Sequence, residues 1–244
     1  MMQDTMEKRD NSGGVEGTHG VQKHLHSVLG GTICVYEAGD PSLQKIVMLH
    51  GAMYDESRFI WDALFPALSE RYHVFAVDTP RHGGSRPWAG LLDRAKLMEI
   101  LAETLAQLKL TRFSFVGLSM GGAQACYIGL NNADTFAWVA GFSGAYVMYG
   151  SSALPGAPRP PLDGSAFEKR FPALGPPVGA KLRLFWLGMG VDDGLLEPHR
   201  QFAAWLASKG VRPTTVETPG GHTWMVWRRN LAEVAPMLFQ EKTR

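Results

Sequence analysis

Short, largely apolar blocks recur along this chain, each closed by a glycine, serine, aspartate or histidine. Lys45-Ile46-Val47-Met48-Leu49, His73 to Val77, Phe113 to Val116, Phe136 to Phe142 and Leu182 to Leu187 are such blocks. They are too short for helices and apolar on successive residues, which predicts strands buried on both faces. Pro213 to Glu217 reads as a last strand. Leu25 to Leu29 and Thr32 to Tyr36 flank Gly30-Gly31 and read as a hairpin.

Between the blocks, apolar residues return every three or four positions. Phe59, Ile60, Leu64 and Leu68 predict a helix over Glu56 to Leu68. Leu97, Ile100, Leu101, Leu105 and Leu108 predict one over Leu91 to Leu108. Further helices are expected from Ala123 to about Asn131, around Phe202, Ala203, Leu206 and Ala207, and from Trp224 to Phe239. From Gly144 to Gly179 proline, glycine and serine dominate, which predicts an ordered flap (145–180) with one helical turn near Phe167 to Phe171. The flap is too short for a cap domain. Strands alternating with helices give an α/β class, a mostly parallel twisted sheet with helices on both faces. Ligands of such sheets sit at the carboxyl ends of the strands.

Composition narrows the picture. With 244 residues and 45% hydrophobic content the chain can bury one good-sized core, expected over 21–244. Residues 1–20 are polar and glycine-rich and are expected to be a disordered tail. A net charge of +1 gives no basis for nucleic-acid binding. No apolar run reaches the roughly 18 residues of a membrane span. The start lacks the apolar core of a secretory signal, so a cytoplasmic location is expected. Cys34 and Cys126 fall in predicted elements and read as small buried hydrophobes. His19, His24 and His26 near the start read as scattered surface histidines, and no metal or cofactor is expected. Nothing marks an oligomer interface.

The chemistry gathers around Phe113-Ser114-Phe115-Val116-Gly117-Leu118-Ser119-Met120-Gly121-Gly122. A strand must turn into a helix within very few residues, and glycines at 117, 121 and 122 remove the Cβ atoms that would block the turn. Ser119 at the apex would expose its Oγ beside a helix N-terminus, where developing negative charge is best tolerated. A serine nucleophile needs a base, and the base needs an orienting carboxylate. His222 follows Pro219-Gly220-Gly221 after the last strand and is the best base. His50, His73, His82 and His199 are weaker choices. Asp192 and Asp193 both stand at the end of the preceding strand, and either could instead cap the next helix. Asp78 is a runner-up. An oxyanion hole would use the N–H of Met120 and that of Ala52 or Met53. His222 becoming protonated would lower activity at acid pH.

These residues together resemble the α/β-hydrolase superfamily over residues 25–240. Leu49-His50-Gly51 and Asp78-Thr79-Pro80-Arg81-His82-Gly83-Gly84-Ser85 look like the general lipase and epoxide-hydrolase type. That type carries glycine where Arg81 stands, which predicts a local difference in the loop. From Val116 onward the chain is similar to the esterase D and feruloyl or acetyl-xylan esterase group. The matching stretches include Phe142-Ser143-Gly144-Ala145, Leu184-Phe185-Trp186-Leu187-Gly188 and Pro219-Gly220-Gly221-His222-Thr223-Trp224. That group has its triad acid just before a Leu-Leu pair, which implies Asp193 before Leu195-Leu196.

The expected activity is that of a serine carboxylesterase on small or medium acyl esters. The resemblance implies feruloyl or acetyl-carbohydrate esters. It equally permits a thioesterase acting on a substrate such as S-formylglutathione. A hydrolase-fold receptor with slow turnover is the alternative outside catalysis. Met53, Tyr54 and Trp224 are the expected substrate contacts, with Trp224 equally readable as core packing. Phe59 and the stretch 154–171 are further expected contacts.

Overall fold

The computed structural model describes residues 20–51, 56–110, 112–146 and 164–240. The expected tail lies outside them except for Gly20, as do Ala52, Met53 and Tyr54 and residues 147–163 of the expected flap.

Among the described residues eight strands form one sheet: β1 (Gln22–Val28), β2 (Gly31–Ala38), β3 (Lys45–Leu49), β4 (His73–Val77), β5 (Phe113–Leu118), β6 (Trp138–Phe142), β7 (Leu184–Gly190) and β8 (Thr214–Thr218). Their spatial order is β1-β2-β4-β3-β5-β6-β7-β8. The β1–β2 and β2–β4 pairs are antiparallel, and every pair from β4–β3 onward is parallel. The α/β class and the mostly parallel sheet therefore stand as expected. The hairpin turns across Leu29-Gly30 rather than Gly30-Gly31, because Val28 pairs with Gly31. Both loop residues have positive φ (45° and 92°), as a two-residue hairpin of the right twist requires.

The helices are α1 (Ser57–Trp61), α2 (Phe65–Ser69), α3 (Arg94–Gln107), α4 (Met120–Asn131), α5 (Gly164–Arg170), α6 (Pro176–Lys181), α7 (Leu196–Ser208) and α8 (Trp224–Val234). Strand residues alternate between the faces. Val47, Leu49, Phe115 and Leu187 pack with α3, α4 and α7 through Ile100, Leu130 and Phe202. Ile46, Met48, Val116 and Trp186 pack on the other face with Trp61, Phe65 and Leu231 of α1, α2 and α8. Every residue of β4, β5, β6 and β7 is buried, so both faces are apolar and the runs show no alternation.

The helix predicted over Glu56 to Leu68 divides into α1, a 3-10 turn (Asp62–Leu64) and α2. Pro66 lacks the N–H that a continuous helix would need there, so the chain restarts with proline in the first turn. Pro236 likewise ends α8, and Ala235–Met237 continues only as a 3-10 turn. Within the expected flap, the single predicted turn is the seven-residue α5, and α6 is a second helix that the proline-rich composition concealed. Pro176 and Pro177 sit in its first turn, where a missing N–H costs nothing.

Candidate active site

The residues singled out for chemistry lie at the carboxyl ends of the parallel strands. His50 follows β3, Asp78 follows β4, Ser119 follows β5, Asp193 follows β7 and His222 follows β8.

Ser119 caps α4 with φ 52° and ψ −119°, a strained conformation for a residue with a Cβ. The surroundings hold it there. Its N–H donates to Phe142 O at 2.7 Å, and its carbonyl accepts from Ala123 N at 3.2 Å and Ala145 N at 3.3 Å. A Cβ on Gly121 would stand 2.5 Å from the carbonyl oxygens of Leu49 and His50. Glycine there lets the first turn of α4 sit on the end of β3, which brings the Ser119 elbow against the His50-Gly51 turn. Met120 opens α4, and its N–H is among those a helix start leaves without an intrahelical partner. It stands where an oxyanion beside Ser119 would need a donor. Ala52, the second expected donor, lies outside the described residues.

His222 Nε2 is 3.0 Å from Ser119 Oγ, and its Nδ1 is 2.9 Å from Asp193 Oδ2. The ring packs edge-on against Trp227 at 5.1 Å. The loop that carries it turns at Gly220, where φ is 116°. It runs close to the end of β7, since a Cβ on Gly190 would meet Gly221 O at 2.8 Å. Asp193 is buried and Asp192 exposed. Burial pushes the Asp193 carboxyl up, but hydrogen bonds from His222 and from Leu195 N–H outweigh it, and the pKa lies below the usual value. The nearby Ser143 hydroxyl also favours the charged form. Ser143 is itself held at φ 48°, fully buried.

The runners-up are engaged elsewhere. Asp78 Oδ1 accepts from Ser57 N at 2.6 Å and Oδ2 from Gly84 N at 2.8 Å, which ties the 78–85 loop to α1. Burial raises its pKa. His50 is fully buried and bonded through both nitrogens, Nδ1 to Gly51 O at 2.7 Å and Nε2 to Thr79 N at 3.0 Å. Burial lowers its pKa to about 3, so the ring is a neutral brace. His73 bonds Glu37 at 2.6 Å, and His82 bonds Pro80 O at 2.9 Å. His199 is buried, and burial lowers its pKa to about 4. Arg81 adopts φ 69°, the left-handed region that glycine enters at least cost, so the substitution leaves a glycine-like backbone at that point. Cys34 and Cys126 are buried free thiols pushed up to about 12 by burial.

Beside Met120 opens a cavity of about 250 Å³, lined mainly by apolar side chains from α3, α4 and the segment around Tyr146, with Phe171. Phe171 belongs to the stretch expected to contact substrate. Trp224 does not line this cavity. It opens α8 half-buried and packs edge-on against the buried Trp61 at 6.0 Å, at the edge of that face's core. Phe59 is 78% exposed. Sequence reasoning overlooked the cavity's α4 wall. Its signal was there to read: Met120, Ala123, Gln124 and Tyr127 fall at i, i+3, i+4 and i+7 and so share one helix face. Among the described residues no helix is long and apolar enough to cross a membrane. No group of three or more His, Cys, Asp or Glu among them could hold a metal.

A parallel sheet with a strained serine elbow, a histidine in contact with that serine and a buried aspartate behind the histidine defines the class of nucleophile-elbow hydrolases. The alpha/beta hydrolase family model matches residues 46–243, and the chain belongs to that family. A pimeloyl-[acyl-carrier protein] methyl ester esterase of Nitrosomonas europaea is 37% identical over 86 residues, 35% of this chain and 31% of that relative. The same-named protein of Aeromonas hydrophila subsp. hydrophila is 33% identical over 89 residues, 36% of this chain and 33% of that relative. The matched stretches thus span about a third of these curated relatives. Among solved structures, a ferulic acid esterase superposes with TM-score 0.68 at 19% identity, covering 89% of this chain and 95% of that one. The haloalkane dehalogenase DbeA of Bradyrhizobium elkani USDA94 superposes with TM-score 0.63 at 18% identity, covering 89% and 97%. Proteins named for such different reactions share this one fold, which leaves the reaction to be argued from the site.

Proposed function

We propose that the protein is a serine carboxylesterase that hydrolyses small to medium acyl esters through an acyl-enzyme on Ser119. The observation that carries this reading is the chain of contacts from Ser119 Oγ to His222 Nε2 and from His222 Nδ1 to Asp193 Oδ2. His222 takes the Ser119 proton as Oγ attacks the ester carbonyl, and the Met120 N–H, with a donor from the loop after β3, holds the oxyanion. Collapse of the tetrahedral species breaks the bond to the alcohol oxygen, which leaves with the proton from His222. Water, deprotonated by His222, then attacks the acyl-serine. The acid is released and the proton returns to Ser119. Asp193 keeps the imidazole in the tautomer this requires and stabilises the imidazolium.

The relatives of Nitrosomonas and Aeromonas are named as methyl ester esterases, which supports the ester-hydrolase class. Steady-state hydrolysis of p-nitrophenyl esters from acetate to octanoate tests the reading. Wild type should turn over, and Ser119→Ala should lose roughly a thousandfold or more. Equal slow rates for both proteins would reject it.

A further inference from the structure

The α4 face that lines the cavity beside Met120 carries one polar residue among apolar neighbours. Gln124 is 6% exposed, and neither its amide nitrogen nor its amide oxygen has a hydrogen-bond partner. Burying both ends of an amide unpaired is costly, and native structures seldom leave such a group without a use. The charged residues along the same cavity are already engaged. Asp93 caps α3 by accepting Lys96 N–H at 2.8 Å, and Arg170 donates to Tyr146 O at 2.6 Å.

The position of Gln124 relative to the reacting atoms follows from helix geometry. Met120 and Gln124 share a face four residues apart, about 6 Å along the axis, and side chains lean back toward the helix start. A substrate whose carbonyl oxygen meets the Met120 N–H would run down this face past Gln124 toward Tyr127. The part entering the cavity is the acyl chain. The leaving alcohol must stay within reach of His222 Nε2, and of the proposed machinery only Met120, the oxyanion donor, lines the cavity, while Ser119, His222 and Asp193 do not. An extended chain advances about 1.2 Å per bond, so the amide stands roughly three to five bonds from the scissile carbon.

We propose that this cavity is an acyl pocket in which Gln124 recognises a hydrogen-bonding group, a ketone, hydroxyl or ester oxygen, carried three to five bonds from the scissile carbonyl. This rests on the ester-hydrolase reading of Ser119. It implies that the preferred acyl group is functionalised along its chain rather than a plain alkyl chain. Both amide atoms are covered in this structure, so recognition requires the Gln124 side chain to change rotamer and turn its amide toward the bound chain.

The test compares p-nitrophenyl hexanoate with p-nitrophenyl 5-oxohexanoate on wild type and Gln124→Leu. Wild type should favour the oxo ester about tenfold in kcat/KM. In Gln124→Leu the ratio should fall to near one or below, since leucine suits the plain chain. The same ratio in both proteins would overturn the proposal. So would a Gln124→Leu protein that is merely more stable with an unaltered preference. Calorimetric binding of hexanoate and 5-oxohexanoate to Ser119→Ala, with and without Gln124→Leu, separates this proposal from the reading it rests on. A Gln124-dependent preference for the oxo acid without ester turnover would sustain the pocket and reject the hydrolase. Ester turnover with no such preference in rate or binding would do the reverse.

Discussion

The buried ring of His50 spans two loops, accepting the Thr79 N–H at 3.0 Å through Nε2 and bonding Gly51 O at 2.7 Å through Nδ1. One neutral imidazole thus ties the turn after β3, which leads into the expected oxyanion donor, to the loop after β4. His50→Ala leaves a buried N–H and a buried C=O unpaired. Each costs about 1–3 kcal/mol, and the Gly51 turn loses its brace. The expected outcome is a loss of at least about 2 kcal/mol in urea unfolding, together with a kcat that falls more than KM changes.

Stability should decline on mild acidification. His50 and His199 have folded pKa values of about 3 and about 4, against 6.5 for an ordinary histidine. Both are depressed, so between pH 6.5 and about 4 the unfolded chain takes up protons that the folded chain refuses. The stability they confer is full above pH 6.5 and is lost as pH falls through this window, at about 1.4 kcal/mol per unit for each group. Urea midpoints at pH 7.5 and pH 5 should show the drop. His199→Phe, which also removes two unpartnered ring nitrogens, should reduce it by roughly half.

Asp193 and Asp192 should separate cleanly. Asp193→Asn keeps the shape but loses the charge that orients His222, and kcat should fall by about 10⁴-fold. Asp192 is exposed, and its N–H donates to Gly220 O at 3.0 Å, a bond its side chain does not affect. Asp192→Asn should stay within a few-fold of wild type. Similar losses in both variants would move the orienting role away from Asp193.

Arg81 holds a left-handed backbone at φ 69° with a full side chain. Arg81→Gly should relieve about 1 kcal/mol of strain, offset in part by the lost bond from the guanidinium to Gly90 O. A modest rise in the urea midpoint with unchanged esterase rates is expected.

Gly121→Ala should be among the most damaging single-methyl changes. The new Cβ would lie 2.5 Å from two backbone carbonyl oxygens that cannot swing aside. The first turn of α4 would have to lift off β3, moving Met120 N–H and Ser119 together. Loss of several kcal/mol of stability, or failure to recover folded protein, is expected on purification and circular dichroism.

Much of this molecule is encoded locally and was legible in the chain alone. Five apolar runs specified parallel strands because a strand buried on both faces needs apolar residues at every position. The glycines around Ser119 marked the elbow because only a residue without a Cβ tolerates such crowding. His222 could be singled out because it lies at the end of the last strand. The choice between Asp192 and Asp193 was not local. It depends on which carboxylate the β7 end turns toward a histidine 29 residues away. Asp78 and His50 looked chemical in the sequence. The structure consumes them in bracing, through bonds reaching 21 and 29 residues along the chain. Trp224 packs half-buried at the edge of the core because Trp61, far away in sequence, waits there for its edge. The cavity and the unpaired Gln124 emerge only when α3, α4 and the segment around Tyr146 converge. A void is a property of packed surfaces, and no run of residues contains it.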